Sequence, residues 1–285
     1  MNTFLRLLGY LPLLLLHWLG AGIGLLVWVV SGRYRRTLAA NLGQALGRPA
    51  RTGECLANAV EAGKGAFETA WVWSRPQATL VRAVRTTARW QAVLDAQAAG
   101  RGIVFVTPHL GCFEISAQYF AAVAGPITVL FRRPRKAVLA PLMDAGRNRG
   151  RMRAVPADAA GVRQLLKALR AGEAIGILPD QVPREGEGIW APFFGRPAYT
   201  MTLAARFIGS NGAPAFLAFA RRLPWGRGFE LDCAPIDLPE GAAEVRVAAL
   251  NAALERTILT RPAQYLWGYN RYKCPPGVTP PASQA

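Results

Sequence analysis

Histidine is almost missing from this chain: its 285 residues carry two, His17 and His109. A site built on several histidines is therefore excluded, and no metal site is expected. Any histidine doing acid–base chemistry outside the N-terminal segment must be His109. Acidic residues are scarce as well, 17 Asp and Glu against 34 Lys and Arg, for a formal charge of +17. Such a surface attracts anions: nucleic acid, anionic lipid, phosphorylated substrates or an acidic protein. The four cysteines, Cys55, Cys112, Cys233 and Cys274, contain no C-x-x-C pair. They fit neither a zinc site nor a disulfide scaffold, and a reducing compartment follows. Also absent are G-x-S-x-G, the Walker A sequence, H-E-x-x-H and G-x-G-x-x-G. No nucleotide cofactor is expected, and no helix-turn-helix or RNA-binding signature supports a nucleic-acid partner.

Formal charge is missing from one long run, Leu7 to Val30, "LLGYLPLLLLHWLGAGIGLLVWVV". Roughly 20 helical residues cross the hydrocarbon core, so this segment suffices as an anchor. It exceeds the usual secretory h-region and no A-x-A-like site follows. Arg33, Arg35 and Arg36 outweigh Arg6, which keeps the remainder of the chain cytoplasmic. Pro12, Gly20, Gly22 and Gly24 interrupt the run and leave open a helix lying in one leaflet. His17 reads as a polar residue of the anchor.

The remainder has 52% hydrophobic residues over the whole sequence behind it, enough for one large domain. We expect an anchor over 1–36, one domain over 37–277 and a loose tail over 278–285. Residues 37–90 carry helical spacing, with Trp71, Trp73 and Trp90 belonging either to the core or to a membrane interface. From Gly100 strands and helices alternate: "GIVFV", "PITVLFR", "AIGILPD", "APAFLAFARRL" and "RGFELDCAPID" read as strands. "EISAQYFAAVAG", "ADAAGVRQLLKALRAGE", "TLAARFIGSNG" and "EGAAEVRVAALNAALERTIL" read as helices. The fold class is α/β, a mixed, mostly parallel sheet flanked by helices.

His109 stands in "TPHLGCFE", between the first of these strands and the first of these helices. Positions five apart on one helix differ by about 140°, so His109 and Glu114 can meet only if His109 lies in the turn. Pro108 disfavours continued strand pairing and Gly111 offers backbone freedom or room for a ligand. A carboxylate on one ring nitrogen would leave the other to take a proton, and the helix N-terminus favours developing negative charge.

"TPHLGCFE" resembles the H-x4-D/E motif of membrane acyltransferases, in its H-x4-E form in the bacterial lipid A late acyltransferases. Three further blocks are similar to that family in the same order: "VLFRRPRKAVLAPLMDAGRNRG", "LPDQVPREGEGIWAPFFGRPAYT" and "PAQYLWGYNRYKCPPG". "FRRP" carries an extra arginine where the family often has Tyr-Arg-Pro, so Arg132 and Arg133 both match. "GYNRYK" stands where the family commonly shows "HRRFK".

The resemblance implies an acyltransferase that moves a fatty acyl group from an acyl carrier protein thioester to a hydroxyl of a phosphorylated lipid A precursor of the Kdo-lipid IVA type. It implies a glycerolipid-acyltransferase-like fold at the cytoplasmic face of the bacterial inner membrane, among its lipids, with no cofactor. His109 would be the general base and Glu114 its orienting partner. Cys112 is a rival nucleophile, but the family does not depend on cysteine there. Of the basic stretch Arg132, Arg133, Arg135, Lys136, Arg147, Arg149, Arg151 and Arg153, Arg132 would flank the acceptor, and Arg147 or Arg149 the active site. Asp180 and Gln181 either line the same edge as His109 or only form a turn. Phe193, Phe194, Gly195, Tyr199 and Thr200 either line an acyl tunnel or belong to the core. Two alternatives remain: the same chemistry on another membrane lipid, such as a phosphatidylinositol mannoside or lysophospholipid, and a basic membrane-associated nucleic-acid binder.

Overall fold

The computed structural model describes residues 8–132 and 140–281. Its first three helices are α1 (Leu13–Val30), α2 (Gly32–Leu46) and α3 (Thr52–Ser74). Ser31 caps α2 by accepting from the Tyr34 amide, and the helix runs through the expected boundary at residue 36. α1 buries a stripe of Leu13, Leu16, His17, Gly20 and Gly24 at helical spacing. That stripe lies antiparallel on α3 so closely that only glycine fits. A methyl on Gly24 would stand 2.1 Å from the Ala59 carbonyl oxygen, and one on Gly63 would stand 2.0 Å from that of Gly20.

An ionic cluster sits inside this helix pair. His17 Nε2 lies 2.6 Å from Glu68 Oε1, while Arg222 donates to both Glu68 oxygens and, at 2.5 Å, to Glu61. Lys64 closes the group on Glu61 at 2.6 Å. His17, expected as a mere polar residue of the anchor, is thus bonded into the folded domain. Burial alone would raise the Glu68 carboxyl, but Arg222 and His17 overturn that and hold it below its usual range.

After α4 (Gln77–Arg82) come β1 (Val84–Thr86), α5 (Trp90–Ala98), β2 (Ile103–Val106), α6 (Phe113–Val123), β3 (Ile127–Phe131) and α7 (Ala140–Arg147). β4 (Met152–Pro156), α8 (Ala159–Arg170), β5 (Ala174–Ile177) and the hairpin β6 (Gly188–Phe193)–β7 (Arg196–Met201) follow. The chain then forms α9 (Leu203–Phe207), β8 (Ala215–Arg222), β9 (Phe229–Pro235) and α10 (Ala243–Leu259). Seven strands form one sheet in the order β1-β9-β8-β2-β5-β3-β4, in which only β8 and β9 pair antiparallel.

β2 and β5 are buried at every residue because helices cover both faces, which is why their sequences run apolar without alternation. One face packs Phe105, Phe120, Trp71 and Trp90, assigning the last two to the core. The other packs Leu165, Leu250, Phe193 and Trp267. The α/β, mostly parallel architecture agrees with the expectation from the alternating pattern. Three pieces were not foreseen: β1 lies within the stretch expected to be helical, β4 is embedded in the arginine-rich stretch, and β6–β7 in a glycine- and proline-rich one. The helix expected over "TLAARFIGSNG" is confined to Leu203–Phe207, followed by a tighter turn at Ser210–Gly212. The expected tail is tied down in part, since Trp190 Nε1 donates to the Thr279 carbonyl at 2.9 Å.

Replacing Glu68 by Leu leaves Arg222 buried without its main counter-charge and should destabilise the fold by about 3–5 kcal/mol in denaturant melts. Because the folded carboxyl titrates low, its contribution is present above the ordinary carboxylate range and fades as pH falls through the folded value. Glu68→Leu should therefore also flatten the acid limb of the stability profile.

Candidate active site

Parallel pairing of β2 with β5 sets the geometry. Val106 is in register with Ile177, so the chain three residues beyond each strand end brings His109 beside Asp180. Ligands of open α/β sheets gather at this carboxyl edge. Asp180 Oδ2 accepts from the His109 backbone amide at 2.8 Å, and Oδ1 lies 2.7 Å from the ring Nδ1. Gln181 adds its side-chain amide at 3.1 Å from Nε2. An amide nitrogen only donates, so Nε2 carries the lone pair and Nδ1 the proton given to Asp180.

The expected His109–Glu114 pair is not what forms. His109 occupies the turn and Glu114 the first turn of α6, as required, but the two rings of contacts are separate. Glu114 accepts from Arg147 through Nε at 3.1 Å and through Nη2, and from Trp73 Nε1 at 3.1 Å. The physical reason is charge. Glu114 is 7% exposed and takes the permanent cation that α7 brings to it, while the imidazole takes the carboxylate delivered by the neighbouring strand. Both residues nevertheless line one cleft, together with Phe113, Arg132, Arg147 and Gln181.

Asp180 is 2% exposed. Its burial would raise the carboxyl, yet the His109 ring and amide and the Arg271 guanidinium hold it below its ordinary value. The C-terminal block supplies much of this support. The Tyr269 hydroxyl accepts from the Val182 amide at 3.0 Å, Leu266 N donates to the His109 carbonyl at 3.2 Å, and Gly111 N donates to that of Gln264 at 3.0 Å. Sequence reasoning gave no part in the site to Arg271, Tyr269 or Trp73; for the first two, the conspicuous aromatic and arginine content of "YNRYK" was the available signal.

The remaining expectations divide. Arg132 lines the cleft and donates to the Val182 carbonyl at 3.1 Å. Arg133, Arg135 and Lys136 lie outside the described residues. Arg147 faces the cleft, whereas Arg149 turns away to the carbonyls of Val72, at 2.9 Å, and Arg75. Gly111 is needed at φ 62° behind the cleft, where a methyl would stand 2.1 Å from the Ala220 oxygen. Its role is close packing on β8, with no room there for a ligand. Phe194 and Gly195 turn the β6–β7 hairpin with φ of 48° and 72°. Phe194 rests on Phe193 and Trp267, and buried Thr200 accepts from Arg271 at 2.6 Å. None of these three reaches the cleft; they belong to the packing that carries Arg271 and β6–β7. Cys112 is buried at the start of α6, and burial, reinforced by the Glu68 charge, pushes its thiol well above the usual range. That environment disfavours the thiolate form a nucleophile needs.

A second, narrow space adjoins the cleft under the sheet. Phe113, Ala117, Val129 and Leu178 line both, and Trp90, Phe105, Ala218 and Cys233 wall its interior. Its lining is almost wholly apolar.

Comparison with known proteins gives the same answer over the length of the chain. The model of the family "Bacterial lipid A biosynthesis acyltransferase" matches residues 1–274. The chain is 28% identical to the lipid A biosynthesis lauroyltransferase of Escherichia coli (strain K12), over 95% of this chain and 89% of the relative. It is 27% identical to the lipid A biosynthesis palmitoleoyltransferase of the same organism, over 64% and 59% of the two chains. A lipid A biosynthesis acyltransferase of Haemophilus influenzae is 28% identical over 64% and 58%. A family match from end to end, over a sheet edge that carries an oriented imidazole and an apolar annex, leads to one assignment: the chain belongs to the bacterial lipid A biosynthesis acyltransferase family and is an acyltransferase.

Proposed function

We propose that the protein transfers a fatty acyl chain from acyl carrier protein to a hydroxyl of a phosphorylated lipid A precursor, at the cytoplasmic face of the inner membrane. The observation that carries this reading is the Asp180–His109 pair, which leaves an unprotonated Nε2 open to a cleft edged by Arg132 and Arg147. The acceptor hydroxyl takes the place of the Gln181 amide at Nε2. As its oxygen attacks the thioester carbonyl carbon, the hydroxyl proton moves to Nε2. The C–S bond then breaks and the imidazolium returns that proton to the departing thiolate. Asp180 holds the ring in the correct tautomer and stabilises the imidazolium, a positioned base being worth roughly 10²–10⁴-fold.

Glu114 has a different part from the orienting one. It fixes Arg147, with Trp73, at the wall of the cleft, where a guanidinium suits the phosphates of the acceptor. The apolar space under the sheet accommodates the acyl chain. This moves the chain away from Phe194, Gly195 and Thr200 to the opposite face of the sheet. A basic, anion-seeking surface agrees with an acidic carrier and a phosphorylated lipid.

Purified protein incubated with acyl carrier protein thioesters and either Kdo-lipid IVA or a lysophospholipid tests the assignment by mass spectrometry. Product from Kdo-lipid IVA is expected, and product from the lysophospholipid alone would sink the reading. His109→Ala and Asp180→Asn should each lower kcat by roughly 10²–10⁴-fold with the fold intact, and Cys112→Ala should not.

A double-mutant cycle separates the two roles of carboxylate. Glu114→Ala and Arg147→Ala should be strongly non-additive, whereas Arg149→Ala should act on stability with little effect on kcat. Independent, additive losses for Glu114 and Arg147 would contradict the positioning role. Within the apolar annex, Ala218→Leu should shift donor preference toward shorter acyl chains, read from competition between thioesters. An unchanged preference would place the chain elsewhere.

A further inference from the structure

α1 is long and apolar enough to cross a membrane by length and composition. Its surroundings argue for another use. The protein flanks it from end to end. Arg75 donates to the Leu11 carbonyl at 3.1 Å, Leu13 and Leu16 pack into the core with Trp71, Gly20 and Gly24 lie on α3, and Trp28 packs against the second core. At the middle of the apolar run sit His17, Glu68, Glu61, Lys64 and Arg222. A spanning α1 that kept these contacts would carry five ionisable groups, and with them the end of β8, to the bilayer midplane, where such groups are most costly.

The face of α1 turned away from the protein is uniformly apolar and exposed: Leu15, Trp18, Ile23, Leu26 and Val30 carry it. Beside Leu14 stands the β8–β9 turn, whose Trp225 is 73% exposed; a methyl on the adjacent Gly226 would lie 2.6 Å from the Leu14 nitrogen. Large contiguous apolar surface of this kind marks an interaction site. Tryptophan at its edge is the residue favoured at a lipid–water interface. In the chain, exposed Arg33 and Arg36 follow α1 directly and exposed Arg227 follows Trp225 and Gly226, while α1 itself bears no formal charge other than any on His17. Cations beside an apolar face match an anionic lipid surface.

We infer that α1 anchors the protein while still docked on α3, lying in the plane of one leaflet with Trp225 as a second point of insertion, and that it does not cross the bilayer. Both ends of α1 then lie on the same side of the membrane as the sheet. The arrangement has a consequence for substrate entry. Gly9, just ahead of α1, packs beside Ala70 and Ser74, next to the Trp73 that holds Glu114 at the cleft wall. A lipid acceptor would reach Nε2 from the leaflet along that side without leaving the membrane surface.

Depth measurements on the full chain test this. Single cysteines replace Leu15, Leu19, Leu26, Val30 or Trp225 in a chain carrying Cys274→Ser, the other three cysteines being buried. Each is spin-labelled and its exposure to oxygen and to a nickel chelate is read in phosphatidylethanolamine–phosphatidylglycerol vesicles. The labels on α1 should report one shallow depth, with Trp225→Cys at a similar level. In parallel, a tag placed ahead of Met1 should resist protease in intact spheroplasts and be digested after lysis. A depth that peaks near Leu19 and falls toward Val30, or digestion of the tag in intact spheroplasts, would overturn the inference. So would labels shielded by a second copy of the chain, seen as spin–spin broadening, or a label at Trp225 left in water.

Discussion

Asp180 is an ionised carboxylate with almost no access to water, and the arrangement of the active edge follows from how its charge is satisfied. One oxygen takes the His109 backbone amide and the other the imidazole, so a single side chain fixes both the turn and the ring it carries. Arg271 adds a buried counter-charge from the opposite side, and Tyr269 pins the adjacent Val182 amide. A buried charge without such partners would cost several kcal/mol. The C-terminal block therefore has to fold back across the sheet edge for the site to exist, although it lies far from His109 in the chain.

The same principle organises the other face of the cleft. Glu114 and Arg147 neutralise each other in a nearly dry setting, with the indole N–H of Trp73 completing the carboxylate. The two histidines meet similar fates by different routes, each bonded to a buried carboxylate. His109 keeps one nitrogen at a cleft where a substrate can reach it. His17 is enclosed with Glu68 and Arg222, and serves to join α1 to the domain.

Glycine and arginine each divide into roles that composition conceals. Gly24 and Gly63 permit helix contact, and Gly111 lets a turn press on β8. Among the arginines, Arg222 and Arg271 are buried structural cations, Arg149 closes carbonyls at the end of α3, and Arg132 and Arg147 face the cleft. A high positive charge is thus partly internal scaffolding and partly a surface that favours anions.

The sequence alone determined the α/β class, most of the sheet's strands and which histidine is available for acid–base chemistry outside the N-terminal segment. These follow from local periodicity and from a count that left one histidine available. It also placed Glu114 in the first turn of a helix, again a local property. Only the tertiary structure decided which carboxylate serves His109, because that depends on the register of β2 against β5, strands some seventy residues apart in the chain. Likewise Arg147 and Arg149 are near-identical neighbours in sequence, and only the path of α7 into β4 sends one to the cleft and the other to α3. The apolar space beside the cleft lies on the face opposite the β6–β7 aromatics for the same reason. Which side of a sheet a side chain occupies is settled by pairing and packing, which no single segment contains.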